Sequence, residues 1–174
     1  MKILIETERL LIRELNKIDK QDLFEMDSDS EVHLFLENKP VKTIDEIEVA
    51  IELISKQYEK YGIGRWAAID KRTGECLGWC GLKYHHERMN NHINFYELGY
   101  RFKKKHWGKG YATESSLAIL EFGFKHLKMH SVFAITDPKN LKSKHVLIKL
   151  GFKFVKTFTL DGEPTDWFEL HNNT

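Results

Sequence analysis

Proline, cysteine and long apolar runs are all scarce in this chain, and its net charge is close to nil. Three prolines among 174 residues exclude collagen-like and proline-rich disordered chains. Two cysteines, Cys76 and Cys80, build neither a disulfide framework nor a structural zinc site by themselves. Without an HExxH, a CxxC or a paired-carboxylate motif, no metal site is expected. No run approaches the roughly 20 apolar residues that span a bilayer. The first ten residues, MKILIETERL, are too acidic, and their apolar stretch too short, for a secretory signal. A cytoplasmic protein without a membrane partner is the expectation.

What is present suits a globular domain. The chain is 41% hydrophobic and carries 11 Phe and four Trp, and a domain of this length buries roughly 70% of the surface its unfolded form exposes. No repeat, low-complexity tract or Gly/Ser/Pro linker divides it, so residues 1–174 read as one domain. The net charge of +1 conceals an asymmetry. Residues 1–62 hold 15 acids against 9 Lys/Arg, whereas residues 101–156 hold 13 Lys/Arg against 3 acids. Such a bias suggests that the second half faces something anionic; a solvated basic face reads the same way.

Periodicity supplies the elements. Residues 7–13 (TERLLIR) read as a strand, and 16–26 as a helix with Ile18, Leu23 and Phe24 inward. Thr43 with Glu46 forms a capping-box pattern that opens a helix bearing Ile47, Ala50, Ile51 and Ile54 and ending near Gly62. Residues 65–70 and 75–84 form an antiparallel hairpin, with Gly78 and Gly81 marking a bulge or a close backbone approach. Cys76 and Cys80, four apart, fall on one strand face as core thiols. After a polar loop with His85, His86 and His92, residues 94–102 alternate as a strand. Residues 109–127 are helical, with Ala112, Leu117, Leu120, Phe124 and Leu127 as the apolar stripe. Residues 131–136 form a strand buried on both faces, so strand, helix and strand make a right-handed parallel crossover. Residues 140–150 form a helix stopped by Gly151, and 152–160 with 166–170 close a hairpin around Asp161-Gly162. The outcome is an α/β domain with a mixed sheet.

Chemistry concentrates in residues 101–114, RFKKKHWGKGYATE. A strand ends, lysines follow, and Gly108-Lys109-Gly110 opens a helix. Glycines let backbone N–H groups turn toward a ligand, and a helix start offers unpaired donors and the positive dipole end. Reinforced by Lys103, Lys104, Lys105 and Lys109, this reads as a phosphate site. It is neither a Walker loop, which needs GxxxxGK[ST], nor a Rossmann fingerprint. A glycine-rich turn with incidental lysines remains the alternative.

Residues 105–114, KHWGKGYATE, resemble the acetyl-CoA motif of the GNAT N-acetyltransferases. Asn140-Leu141-Lys142-Ser143 with Leu150-Gly151-Phe152 resembles that family's second block. Residues 7–13 and the strand YELGY (96–100) resemble its RimJ/RimL-like branch, named for ribosomal-protein N-terminal acetyltransferases. The four blocks keep family order across residues 8–171. The resemblance implies a GNAT fold, a single domain whose mixed β-sheet is splayed at its centre and flanked by helices. It implies acetyl-CoA as cofactor, with the pyrophosphate on the amides of His106, Trp107, Gly108, Lys109, Gly110 and Tyr111, and with Lys105, Ala112 and Thr113 completing the motif. The pantetheine arm pairs with the strand edge at Leu98, Gly99 and Tyr100, and Asn140 bonds this arm or its neighbourhood. Lys104 or Lys142 reaches the 3′-phosphate.

The reaction brings a neutral amine to a thioester. Proximity contributes several kcal/mol, and an N–H near Gly99 is the expected oxyanion donor. Glu97 is the candidate base, directly or through water, with a strand-face ion pair as the other reading. Ser143 is the candidate acid for the thiolate, although no Tyr lies in its helix. His85, His86 and His92 line the acceptor side or a solvated loop. Trp107 stacks on adenine or packs against the helix. Acids at Asp27, Asp29, Glu31 and Glu37 suggest a negative rim for a cationic acceptor. The acceptor is expected to be a protein or peptide N-terminus, with a small amine (polyamine, amino acid or drug) as the alternative. A silent acyl-CoA-binding module and a nucleic-acid binder are the competing classes; no nucleic-acid partner is expected. Homodimers occur in the family.

Overall fold

The apolar periods resolve into eight strands and four helices in a computed structural model that describes residues 3–172. Strands β1 (Ile3–Glu6) and β2 (Leu10–Glu14) precede helices α1 (Lys20–Asp27) and α2 (Ile44–Tyr61). Three strands follow: β3 (Arg65–Asp70), β4 (Cys76–His85) and β5 (Phe95–Phe102). Then come α3 (Tyr111–His126), β6 (Ser131–Thr136), α4 (Leu141–Lys149), β7 (Lys153–Leu160) and β8 (Glu163–His171). They form one sheet in the order β1-β2-β3-β4-β5-β6-β8-β7, antiparallel except for β5 with β6. This is an open, mixed α/β sheet, as expected. No helix among the described residues is long and apolar enough to cross a membrane.

Local chemistry explains the element ends. The Glu46 carboxylate accepts the Thr43 N–H at 3.0 Å and the Thr43 hydroxyl at 3.1 Å, and α2 stops where Gly62 turns left-handed at φ 68°. The β7–β8 turn takes positive φ at both Asp161 and Gly162, as two-residue hairpin loops require.

The sheet is covered on both faces. One core, with Leu10, Ile12, Trp66, Leu82, Leu98 and Ile119, lies between the sheet and α3/α4. A second, with Leu23, Met26, Ile47, Ile51 and Ala67, lies under α1 and α2. Each fully buried Leu or Ile contributes roughly 1.5–3 kcal/mol. Three positions expected on apolar stripes face water instead: Ile18 is 67% exposed, Leu117 is 51% exposed, and Ala50 is also exposed. Ile18 sits in a 3-10 turn capped by Asn16, ahead of the helix that buries Leu23 and Met26. In α3 the inward stripe runs through Ser115, Ser116, Ile119, Leu120 and Gly123. These serines are apolar in neither composition nor pattern, yet their small volume admits the helix close to the sheet.

The cysteines also depart from expectation. The β3–β4 register slips at Gly78, and a one-residue insertion moves everything beyond it to the other face. Cys76 therefore joins the α1/α2 core and Cys80 the α3/α4 core. Burial pushes the Cys76 thiol up to about 12 and raises Cys80, so neither is a nucleophile. Gly78 and Gly81 are indeed close approaches, since a Cβ on either would collide with neighbouring backbone.

Candidate active site

The parallel seam at the sheet's centre is incomplete. Strands β5 and β6 pair at one position, Glu97 with Phe133, and the remainder of β5 turns its outer edge away from β6. This opening has the splay the sequence implied, and it runs from Glu97 toward the loop that starts α3.

That loop holds a row of unused donors. Among the described residues, the amides of Gly108, Lys109, Gly110, Tyr111, Ala112 and Thr113 meet no acceptor; the first helical bond runs from the Glu114 N–H to the Gly110 carbonyl at 3.0 Å. Gly108 (φ 72°) and Gly110 (φ 84°) adopt left-handed backbone, a conformation glycine takes at no steric cost. An added Cβ at Gly108 would meet nothing within 4 Å, so the cradle is open. The expected pyrophosphate amides need one correction. The N–H groups of His106 and Trp107 are spent within a 3-10 turn, on the carbonyls of Lys103 (2.9 Å) and Lys104 (3.1 Å). The cradle begins at Gly108.

The amino-terminal motif serves to fix this loop. Glu114 accepts from the Thr7 hydroxyl (2.6 Å), the Arg9 N–H (2.9 Å) and Arg9 Nε (2.6 Å). Arg9 in turn donates to the Lys109 carbonyl at 2.9 Å and lies 4.3 Å over the Tyr111 ring. A carboxylate at the helix start, with its pKa lowered by these donors against the opposing effect of burial, also suits the dipole.

Three of the four lysines expected at the phosphate face elsewhere, while Lys109 is exposed and makes no ion pair among the described residues. Lys103 is 2% exposed, with Asp22, Glu25 and Glu75 at 2.6, 2.7 and 2.8 Å. Lys105 pairs with Glu25 and Glu75 at 2.8 Å each, and Lys104 with Glu31 at 2.5 Å. Lys142 lies 4.9 Å over the Trp107 ring. The basic run thus ties α1 and its following turn to the β5–α3 segment. Three of the four acids counted as a negative rim are consumed in the same way: Asp27 by Arg101 at 2.7 Å, Glu31 by Lys104, and Glu37 by Lys39 at 3.0 Å. Asp29 makes no ion pair among the described residues and accepts the Glu31 N–H at 2.8 Å. Trp107 uses its indole N–H on the Phe102 carbonyl at 2.8 Å and packs against both cores, which answers the adenine-stacking alternative with a packing role.

On the α4 side, Asn140 caps the helix, its side-chain oxygen accepting the Ser143 N–H at 3.1 Å. Ser143 Oγ stands 3.0 Å from the Tyr100 hydroxyl, which also donates to the Ser143 carbonyl at 3.1 Å. No tyrosine lies in α4, but one arrives from β5. Burial raises the Tyr100 pKa well above its ordinary value, so the phenol keeps its proton.

On the α1/α2 side, Glu97 is 8% exposed and both its oxygens are engaged. Oε1 accepts from Arg65 at 3.0 Å, and Oε2 lies 2.6 Å from His85 Nε2. Burial alone would raise its pKa; the His85 hydrogen bond and the Arg65 charge overcome that and bring it to about 2. A carboxylate of that acidity is a weak proton acceptor, which corrects the expectation that Glu97 is the base. Arg65 also explains Gly99: an added Cβ would sit 2.6 Å from the guanidinium, which lies across the glycine. Neither Arg65 nor His85 carries a local sequence signal for this cluster, because their meeting depends on strand register. His86 contacts Tyr61 instead, and His92 stacks on Trp167 at 5.0 Å.

Comparison with known proteins agrees with this geometry. The chain is 38% identical over 109 residues to the uncharacterized protein YkkB of Bacillus subtilis, covering 63% of this chain and 62% of that one. It is 32% identical over 149 residues to the uncharacterized N-acetyltransferase YnaD of the same organism, covering 86% and 82%. The crystal structure of a GNAT-family acetyltransferase from Bacillus anthracis superposes with a TM-score of 0.79 at 26% identity, covering 96% of this chain and 97% of that one. Residues 9–153 match the acetyltransferase (GNAT) domain as a family. An open sheet parted at its centre beside a glycine-opened helix, with that match over most of its length, makes this chain an acyltransferase of the GNAT family.

Proposed function

We propose that this chain transfers the acetyl group of acetyl-CoA to the primary amine of a protein or peptide N-terminus, as in the RimJ/RimL-like branch. The observation that carries the reading is the row of six acceptor-free amides at 108–113, set beside the β5 edge where it leaves β6. Six unpaired donors at a helix start, with the exposed Lys109 among them outside any ion pair, fit a diphosphate. The open edge at Leu98, Gly99 and Tyr100 fits an amide-bearing arm laid along it as an added strand. When bound, acetyl-CoA supplies an activated acyl thioester.

The chain's own residues have distinct tasks in this reading. The amides at 108–113 hold the anion, and Arg9 with Glu114 keeps their loop in place. Tyr100 and Ser143 form a hydroxyl pair that retains a proton beside the opening, which suits protonation of a departing thiolate. The side chain of Asn140 orients Ser143 through its cap. Lys105, His106 and Trp107 shape the entry to the cradle rather than touch the phosphates with their side chains.

Charge pairing favours a peptide N-terminus over a polyamine. A polycation needs several unpaired carboxylates together. Of the acids in α1 and its following turn, Asp27, Glu31 and Glu25 are each held by a basic residue of this chain, as is Glu75 beside them. Among the described residues this leaves Asp29 as the acid there without an ion pair. The test is thiol release from acetyl-CoA across N-terminal peptides, polyamines and aminoglycosides, with calorimetric titration of coenzyme A alongside. Peptide-dependent release is expected. Release driven by spermidine but by no peptide overturns the acceptor assignment, and absence of coenzyme A binding overturns the transferase reading.

A further inference from the structure

We propose that His85 accepts the proton of the incoming amine, with Glu97 and Arg65 as the residues that position it. The inference rests on the acetyl-transfer reading above and assigns its missing base.

Register brings the group together. In the β4–β5 ladder Lys83 faces Glu97 and His85 faces Phe95, so His85, Phe95 and Glu97 share one sheet face. The imidazole stacks on Phe95 with centroids 4.8 Å apart and planes 10° from parallel, which fixes the ring. Nε2 lies 2.6 Å from Glu97 Oε2. An ionised carboxylate accepts hydrogen bonds and donates none, so Nε2 carries the hydrogen, and in the neutral imidazole that leaves the lone pair on Nδ1. Nδ1 takes no hydrogen bond from the described residues and is not among their enclosed, partnerless polar atoms, so it opens to solvent. Arg65 completes the chain, donating to Glu97 Oε1 at 3.0 Å and to the Gly81 carbonyl at 3.1 Å.

Position argues for a role in the reaction. Glu97 is the single β5 residue paired with β6, so the imidazole stands where the two strands part. Each Glu97 oxygen already holds a donor, one of them the cationic Arg65, whereas His85 Nδ1 holds none. The charged or titratable groups around His85 are Glu97 from β5 and Arg65 from β3. Lys83, Tyr84, His86 and Glu87 follow its own chain, and His92 packs on Phe95 from the turn before β5. The proton passes from the amine nitrogen to Nδ1. The imidazole becomes an imidazolium held by the carboxylate, and the nitrogen lone pair so freed makes the new bond to the acyl carbon as the carbon–sulfur bond breaks. The nitrogen's second proton ends on the departing thiolate, relayed through the Tyr100–Ser143 hydroxyl pair. Nothing is oxidised or reduced, and His85 forms no bond to carbon.

His85→Gln tests this, because the glutamine amide can still donate to Glu97 while lacking proton affinity. Turnover near neutral pH should fall about 100-fold or more, with coenzyme A affinity unchanged. The deficit should shrink as the pH rises above the roughly 7.7–8.0 at which an α-amine becomes neutral. Full turnover in His85→Gln, beside an active wild type, overturns the assignment; an inactive wild type would instead overturn the transferase reading. A second measurement needs no variant activity. Imidazole nitrogen shifts of the free wild-type protein at about pH 8 should show His85 with its hydrogen on Nε2 and a bare Nδ1. A hydrogen on Nδ1 there overturns the proposal.

Discussion

Replacing Lys103 with methionine isolates the largest departure of this structure from the charge pattern of its sequence. The ammonium is 2% exposed and meets three carboxylates, Asp22, Glu25 and Glu75, within 2.6–2.8 Å. Methionine keeps most of the volume and removes the charge. Unpairing a fully buried ion costs about 3–5 kcal/mol. Here the side chains of Asp22, Glu25 and Glu75 are 34%, 50% and 26% exposed, and Lys105 stays on two of them. Solvent screening and that remaining cation reduce the expected loss to about 2–3 kcal/mol. With a urea m-value of about 2–3 kcal/mol/M for a domain of this size, the midpoint should drop by about 1 M. The pH dependence supplies the sign. Glu75 is held at about 2, because Lys103 and Lys105 outweigh the upward push of burial, and Glu25 is lowered by the same lysines. Groups with depressed folded pKa values contribute stability that is present above the ordinary glutamate value of about 4.3 and lost as the pH falls toward the folded value. The Lys103→Met deficit should therefore be full at neutral pH and shrink below about pH 4 as the carboxylates protonate. Urea unfolding followed by tryptophan fluorescence at both pH values measures it. A midpoint that does not move, or a deficit equal at both pH values, would refute the assignment of this cluster as an electrostatic tie.

Three further outcomes follow from the site. Gly108→Val and Gly110→Val force a β-branched residue into left-handed backbone, at about 1–2 kcal/mol or more, so coenzyme A should bind at least about tenfold more weakly by calorimetry; unchanged affinity would remove the amide cradle from the mechanism. Lys105→Ala should leave coenzyme A affinity within about twofold, since an exposed ion pair is worth only about 0–1 kcal/mol and its ammonium is turned toward Glu25 and Glu75; a tenfold loss would show that the lysine does reach the phosphates. Gly99→Ala places a methyl where the Arg65 guanidinium lies and should loosen its pair with Glu97. Glu97, held at about 2, contributes stability above about pH 4.3 that disappears as the pH falls toward 2. The melting-temperature gap between Gly99→Ala and wild type should accordingly narrow on acidification, and a gap independent of pH would show that Arg65 and Glu97 remain paired.

Local chemistry by itself determined much of this protein. The β3 span, the Thr43–Glu46 box, the stop at Gly62 and the glycine-opened helix start at 108–113 were all legible, because each depends on residues within a few positions of one another. The parallel crossover was legible from the order strand, helix, strand. Other features depended on which strands become neighbours and in what register. One slipped residue at Gly78 sent Cys76 and Cys80 to opposite faces. The lysines at 103–105 looked free for phosphate until α1 arrived with its acids. Glu97 looked like a base until strand pairing set Arg65 and His85 against its two oxygens. A sequence shows what each side chain can donate or accept; tertiary structure decides which partner reaches it first. For charged groups removed from water, that partner outweighs intrinsic chemistry.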